Sequence, residues 1–163
     1  MIGMIVYSFA WRKYVASLCN RRLAAAASRI AGAQEGDVFL FAQRTTARAL
    51  GLIGIDCHVM PKGAGYEGSE QVTNQAAPIF RQLGITEVIP VAQPVFQLRK
   101  CIWLVQRSGF RTWSHGRLVA EIGPIGFDPL SVQPATRSRA HLMFYTARQI
   151  LTGYRPPVEQ SEP

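Results

Sequence analysis

Acidic residues are scarce in this chain. Ten Asp and Glu face eighteen Lys and Arg, for a formal net charge of +8. A surplus of that sign attracts nucleic acid, anionic membrane or phosphorylated ligands. The basic residues are scattered, however. Arg21-Arg22, Arg99-Lys100, Arg137 and Arg139 come in ones and twos, with no run of five or more. No aromatic-interleaved RNA signature accompanies them, so solvated surface charge outweighs a nucleic-acid groove as the expectation.

Cysteine is sparse too. Cys19, Cys57 and Cys101 lie far apart, their number is odd, and no Cys-x-x-Cys occurs. That excludes a disulfide framework and argues for reduced, buried thiols. No apolar stretch approaches the roughly 20 residues of a spanning helix. The opening MIGMIVYSFA is short, and its positive charges follow rather than precede it. A signal peptide has the opposite order, so the stretch reads as a first buried strand and the expectation is a cytoplasmic chain. An anchor upstream of Met1 would not be visible in these residues.

Several chemical signatures are missing. There is no G-x-x-x-x-G-K-S/T loop, no G-x-G-x-x-G after the first strand and no G-x-S-x-G elbow. His58, His115 and His141 have no partner at metal spacing and read first as surface or core histidines.

What is present is apolar. Hydrophobic residues make up 48% and charged residues 17% of 163 positions, which suits one domain with a well-filled core. Met4–Ser8 reads as a strand. Ser17 caps a following alanine-rich helix that Gly32 stops, with Leu18, Leu23, Ala26, Ala27 and Ile30 on its core face. Asp37–Ala42 is a continuous apolar run, the mark of a strand covered on both faces. A short helix over Thr45–Leu52, a strand over Ile55–Met60 and a helix over Ser69–Leu83 follow. Pro78 is expected to kink that last helix or to mark its true start. Glu87–Val91 is a strand whose Pro90 places it at an edge or a bulge. A helix over Phe96–Arg107, a fifth strand over Phe110–Ser114, a long ordered loop over Leu118–Ser138 and a closing helix over Ala140–Leu151 complete the series.

Alternation of this kind favours right-handed βαβ units. The expected fold is a three-layer, Rossmann-like α/β domain over residues 1–155. Its mostly parallel sheet has about five strands and helices on both faces, and 156–163 form a polar tail. Such sheets bind ligands beyond the carboxyl ends of their strands, which points to Ser8–Trp11, Gln43–Thr46, Gly63–Ser69 and Ala92–Val95.

The chain also carries an ordered set of short patterns. They are L-x-x-R-R-L with a following Ala (Leu18 to Ala26), Gly54-Ile55, and S-x-x-x-T-N-x-A (Ser69 to Ala76). Then come L-G-I-x-x-V (Leu83 to Val88), V-A-Q-P-V-F-Q-L-R (Val91 to Arg99) and a terminal T-G-Y (Thr152 to Tyr154). This order, over roughly residues 4–154, resembles the bacterial SanA/YdcF/ElyC-like family. The resemblance implies a Rossmann-like domain of largely unassigned activity with a polar pocket at the strand ends. One branch of that family binds S-adenosylmethionine, and membrane-anchored branches are tied to the cell envelope. By this likeness Arg22, Asn74 and Arg99 match an Arg of the first long helix, the Asn of a T-x-E-N segment and the Arg of an S-x-x-H-x-x-R motif. The His of that motif falls on Phe96, its Ser on Gln93, and the Glu before the Asn on Thr73. The glycine-rich turns are replaced by Ser8-Phe9-Ala10 and Ala42-Gln43-Arg44. Loss of an imidazole and a carboxylate removes the obvious acid/base pair, so whether the chain is an enzyme stays open.

The candidate ligand residues are therefore Arg99, Arg22, Asn74, Gln43, Thr45, Gln93 and Glu67. Each has a plainer role. Arg99 can snorkel, Arg22 can sit on a solvated helix face, Asn74 can bond nearby backbone, Thr45 can cap a helix, and Glu67 can serve solubility. Trp103, Phe110, Trp113, Phe144 and Tyr145 read as packing rather than as a stacking platform. The expected partner is a small anionic or nucleotide-like ligand, S-adenosylmethionine being admitted by the resemblance. The alternatives are a decayed pocket that binds a protein through the 118–138 loop and, more weakly, charge-driven binding of nucleic acid or anionic membrane.

Overall fold

The computed structural model describes residues 1–10, 15–61, 68–95 and 97–151. Four parallel strands form one sheet: β1 (Ile2–Val6), β2 (Val38–Ala42), β3 (His58–Val59) and β4 (Val88–Val91), in the order β3-β2-β1-β4. The helices are α1 (Leu18–Gly32), α2 (Arg44–Gly51), α3 (Ser69–Gln82), α4 (Leu98–Arg107), α5 (His115–Ile122) and α6 (Arg139–Leu151). The α/β architecture is the one expected, with four strands in place of about five.

The missing strand has a physical reason. Phe110–Ser114 runs beside β4 but meets it at a single parallel bridge, Glu87 to Arg111. Arg111 N donates to Thr86 O at 3.0 Å and Val88 N to Arg111 O at 2.8 Å, and the ladder goes no further. Two positions along β4 from Val88, on the same outer side, stands Pro90, which has no N–H to give. Pro90 therefore sits where the sequence placed it, at an edge.

Strand periodicity divides β1 between two helical layers. Gly3 and Tyr7 face α3 and α4. A Cβ on Gly3 would meet Ile85 and Phe80 side-chain atoms at 3.1 Å, so the absent side chain lets this layer close in. Ser8 faces the other layer, where α1 packs beside α2 and α5. Phe80 is fully buried and meets Phe39, Phe41 and Phe110 edge-on at 6.0, 6.5 and 6.0 Å.

Helix starts were partly legible. Ser17 caps α1 by accepting from Asn20 N, as expected. Thr45 and Ser69 are not the caps. Gln43 and Gly68 hold those positions, and Thr45 and Ser69 lie inside the first turns. Pro78 falls within α3 rather than at its start. The expected 118–138 loop is shorter, because its first five residues belong to α5 and a 3-10 turn, Pro134–Thr136, closes its far end.

Candidate ligand site at the carboxyl end of the sheet

The chain moves from β1 outward to β2 and β3, then crosses back through α3 to the far side of β1. The strand order thus reverses between β1 and β4, the point at which sheets of this kind take ligands. Residues from four elements converge there. Leaving β1, the Tyr7 hydroxyl shares a hydrogen bond of 2.8 Å with Thr73 Oγ1 of α3. Ser8 N donates to Gln43 Oε1 at 2.9 Å, and Ser8 Oγ pairs with Thr46 Oγ1 at 2.6 Å. Thr45 Oγ1 donates to Ser8 Oγ as well. From beyond β4, Gln97 Nε2 donates to Ser8 O at 3.0 Å and to Ser69 Oγ at 3.3 Å. Gln93 is buried, and its carbonyl accepts from Gln97 N and Leu98 N at 3.1 and 3.0 Å.

This cluster consists of hydroxyls and amides. Such groups both donate and accept, so they can re-pair around a polar ligand without a change of charge. Beneath it lies a neutral floor. Burial pushes the Cys101 thiol up to about 12 and the Tyr7 phenol well above its ordinary range. Both therefore stay protonated at neutral pH.

The helix N-termini at this end differ. The N-cap residues of α2, α3 and α4 make no side-chain cap bond. At α1, Ser17 supplies a cap and the fully buried Asp128 adds a carboxylate, whose Oδ2 accepts from Leu18 N at 3.3 Å. Asn20 fastens the same turn to the segment after β1. Its Oδ1 accepts from Phe9 N at 3.1 Å and its Nδ2 donates to Ala10 O at 2.7 Å.

Of the residues singled out in the sequence, Gln43, Thr45 and Gln93 come together at the strand ends. Asn74 lies one position past Thr73 on α3 and is exposed. Arg99 is exposed on α4, two residues after Gln97. Arg22 lies elsewhere. Its Nη1 donates to Ile125 O at 3.0 Å, beside a separate concavity of about 400 Å³ that it lines with Arg29, Ile122 and Gly123. Glu67 and Phe96, with Tyr66 and Trp11, lie outside the described residues. Ser8, Thr46 and Ser69 fall in the strand-end segments to which the sequence points, whereas Thr73 and Gln97 lie outside them and were missed. The signal for Gln97 was its place in the first turn of the apolar helix expected over Phe96–Arg107.

Among the described residues no group of three or more His, Cys, Asp or Glu is placed to hold a metal, and no helix is long and apolar enough to cross a membrane. Comparison with protein-family models, curated proteins and solved structures finds no match to this chain.

Proposed function

We propose that the crevice between β1 and β4 binds a small polar ligand, nucleotide-like or phosphorylated. The observation that carries the reading is the convergence of Ser8, Gln43, Thr45, Thr46, Ser69 and Gln97 at the strand-order reversal. Helix N-termini without a side-chain cap suit an anionic part of the ligand, and hydroxyls and amides suit a sugar or base. The sequence likeness to the SanA/YdcF/ElyC-like family supports the same end of the sheet and brings S-adenosylmethionine among the ligands to try. In that reading Gln43, Thr45 and Gln93 line the site, and Arg99 and Asn74 stand at its rim.

The test is thermal unfolding of the full chain with S-adenosylmethionine, nucleotides and sugar phosphates, repeated on Gln97→Ala and Arg99→Ala. Binding at the crevice gives a ligand-dependent rise in Tm that Gln97→Ala abolishes and Arg99→Ala weakens. A rise that survives both substitutions in full puts the ligand elsewhere and ends this reading.

A second reading, a domain that works by binding a protein, is favoured by exposed apolar side chains. Leu130 is 71% exposed, Phe144 68% and Met143 61%. Phe127 is not among them, since its ring packs edge-on against Phe9 at 5.8 Å. No Tm shift with any of the ligands, together with self-association or a co-purifying partner lost in Leu130→Ser, would favour this second reading.

A further inference from the structure

We propose that Asp128 is a specificity-determining residue. Its carboxylate fills the anion position at the N-terminus of α1 and so directs any anionic part of a ligand to α2, α3 and α4. The inference rests on the ligand reading above and narrows it.

In dinucleotide-binding α/β domains the first strand-to-helix turn seats a phosphate on the helix N-terminus, and glycines let the backbone approach it. Here the first amide of α1 is taken from within. Asp128 is 0% exposed, although it lies 110 residues beyond Leu18 in sequence. Its Oδ2 takes the Leu18 amide at 3.3 Å and its Oδ1 the Leu130 amide at 3.1 Å. A buried carboxylate is costly unless paired, and amides at the positive end of a helix pair it.

The segment that presents Asp128 is fixed at both ends. On one side Arg22 Nη1 holds Ile125 O at 3.0 Å, and Cys19 Sγ lies 3.6 Å from Gly126 O. Gly126 has φ +74°, and a Cβ there would come within 3.0 Å of Arg22 Nη1. On the other side Asp128 N donates to Thr136 O at 3.0 Å, and Ser131 N donates to Asp128 O at 2.9 Å. Thr136 Oγ1 donates to Ser131 Oγ at 2.7 Å, and Arg137 Nε holds Ser131 O at 2.7 Å. A phosphate at Leu18 would meet an amide already used and a like charge in a poorly solvated place. The N-cap residues of α2, α3 and α4 make no side-chain cap bond, and the one acidic residue in their first turns, Glu70 of α3, is exposed rather than buried.

The test follows backbone amides by NMR in the full chain during titration with inorganic pyrophosphate. In the parent the Leu18 amide stays in place. In Asp128→Ala, and in Asp128→Ser, the Leu18 amide shifts saturably, with apparent affinity there raised about tenfold or more. A parent Leu18 amide that responds to pyrophosphate overturns the proposal, and this result needs no variant. A folded variant whose Leu18 amide still ignores pyrophosphate also overturns it. The ligand reading fails separately, through the absence of any ligand-dependent shift at Ser8, Thr45 or Gln97.

Discussion

The N-terminus of α1 and those of α2, α3 and α4 lie at the same end of the sheet and are finished in opposite ways. At α1 three side chains are committed: Ser17 caps, Asn20 ties the turn to the segment after β1, and Asp128 brings a carboxylate from far along the chain. At the other three no N-cap side chain makes a cap bond, and hydroxyls and amides bond each other at the strand ends. One set of contacts is charged and buried, and the other is neutral and able to re-pair. The contrast shows how a chain with little acid uses one buried carboxylate to set the N-terminus of α1 apart from the other three.

Alkaline pH tests the neutral side most severely. Burial raises the Cys101 thiol from its ordinary 9.0 to about 12, with the Ser69 hydrogen bond and Lys100 acting the other way. The unfolded chain ionises first, so stability is fully present below pH 9 and is lost as pH rises toward 12. The urea midpoint is expected to be flat on the low side of that window and to fall across it, and Cys101→Ala should soften the fall. An unchanged slope in the variant would mean that Cys101 contributes nothing to it.

Capping gives the next largest effect. Ser17→Ala should cost about 1 kcal/mol in denaturant unfolding. Gln43→Ala should cost only about 0.5 kcal/mol, the net loss of its bond from the part-buried Ser8 amide, which water can replace. Equal losses would erase the distinction between the two helix ends. The smallest effect belongs to Arg99→Ala, which should leave stability within about 0.5 kcal/mol because the side chain is exposed. A larger loss would make Arg99 part of the framework rather than the rim.

The fold was readable where the signal was local. Apolar runs marked β1 and β2, Ser17 and Gly32 bounded α1, and Pro90 announced an edge. The fifth strand was overread because Phe110–Ser114 has strand composition, and composition cannot report that the neighbouring Pro90 has no donor for a longer ladder. The site was legible in part. Gln43, Thr45 and Gln93 could be placed because they follow strands directly. Ser8 with Thr46, or Gln97 with Ser69, could not. Those pairs span 38 and 28 residues of sequence, and neutral side chains leave no charge pattern to betray them. Charge was a weaker guide, since Arg22 holds a loop carbonyl, and Arg99 and Asn74 are exposed on α4 and α3.

The two borders of the sheet bear on how copies of this chain behave in a crowd. A strand border that offers a row of unpaired amides and carbonyls invites a neighbouring molecule to add its own strand. Along β4 the outward row is interrupted, one amide being spent on Arg111 and the next position being Pro90. At the opposite border β3 is only two residues long. Among the described residues, neither margin gives a second molecule a long run of consecutive backbone partners with which to extend the sheet.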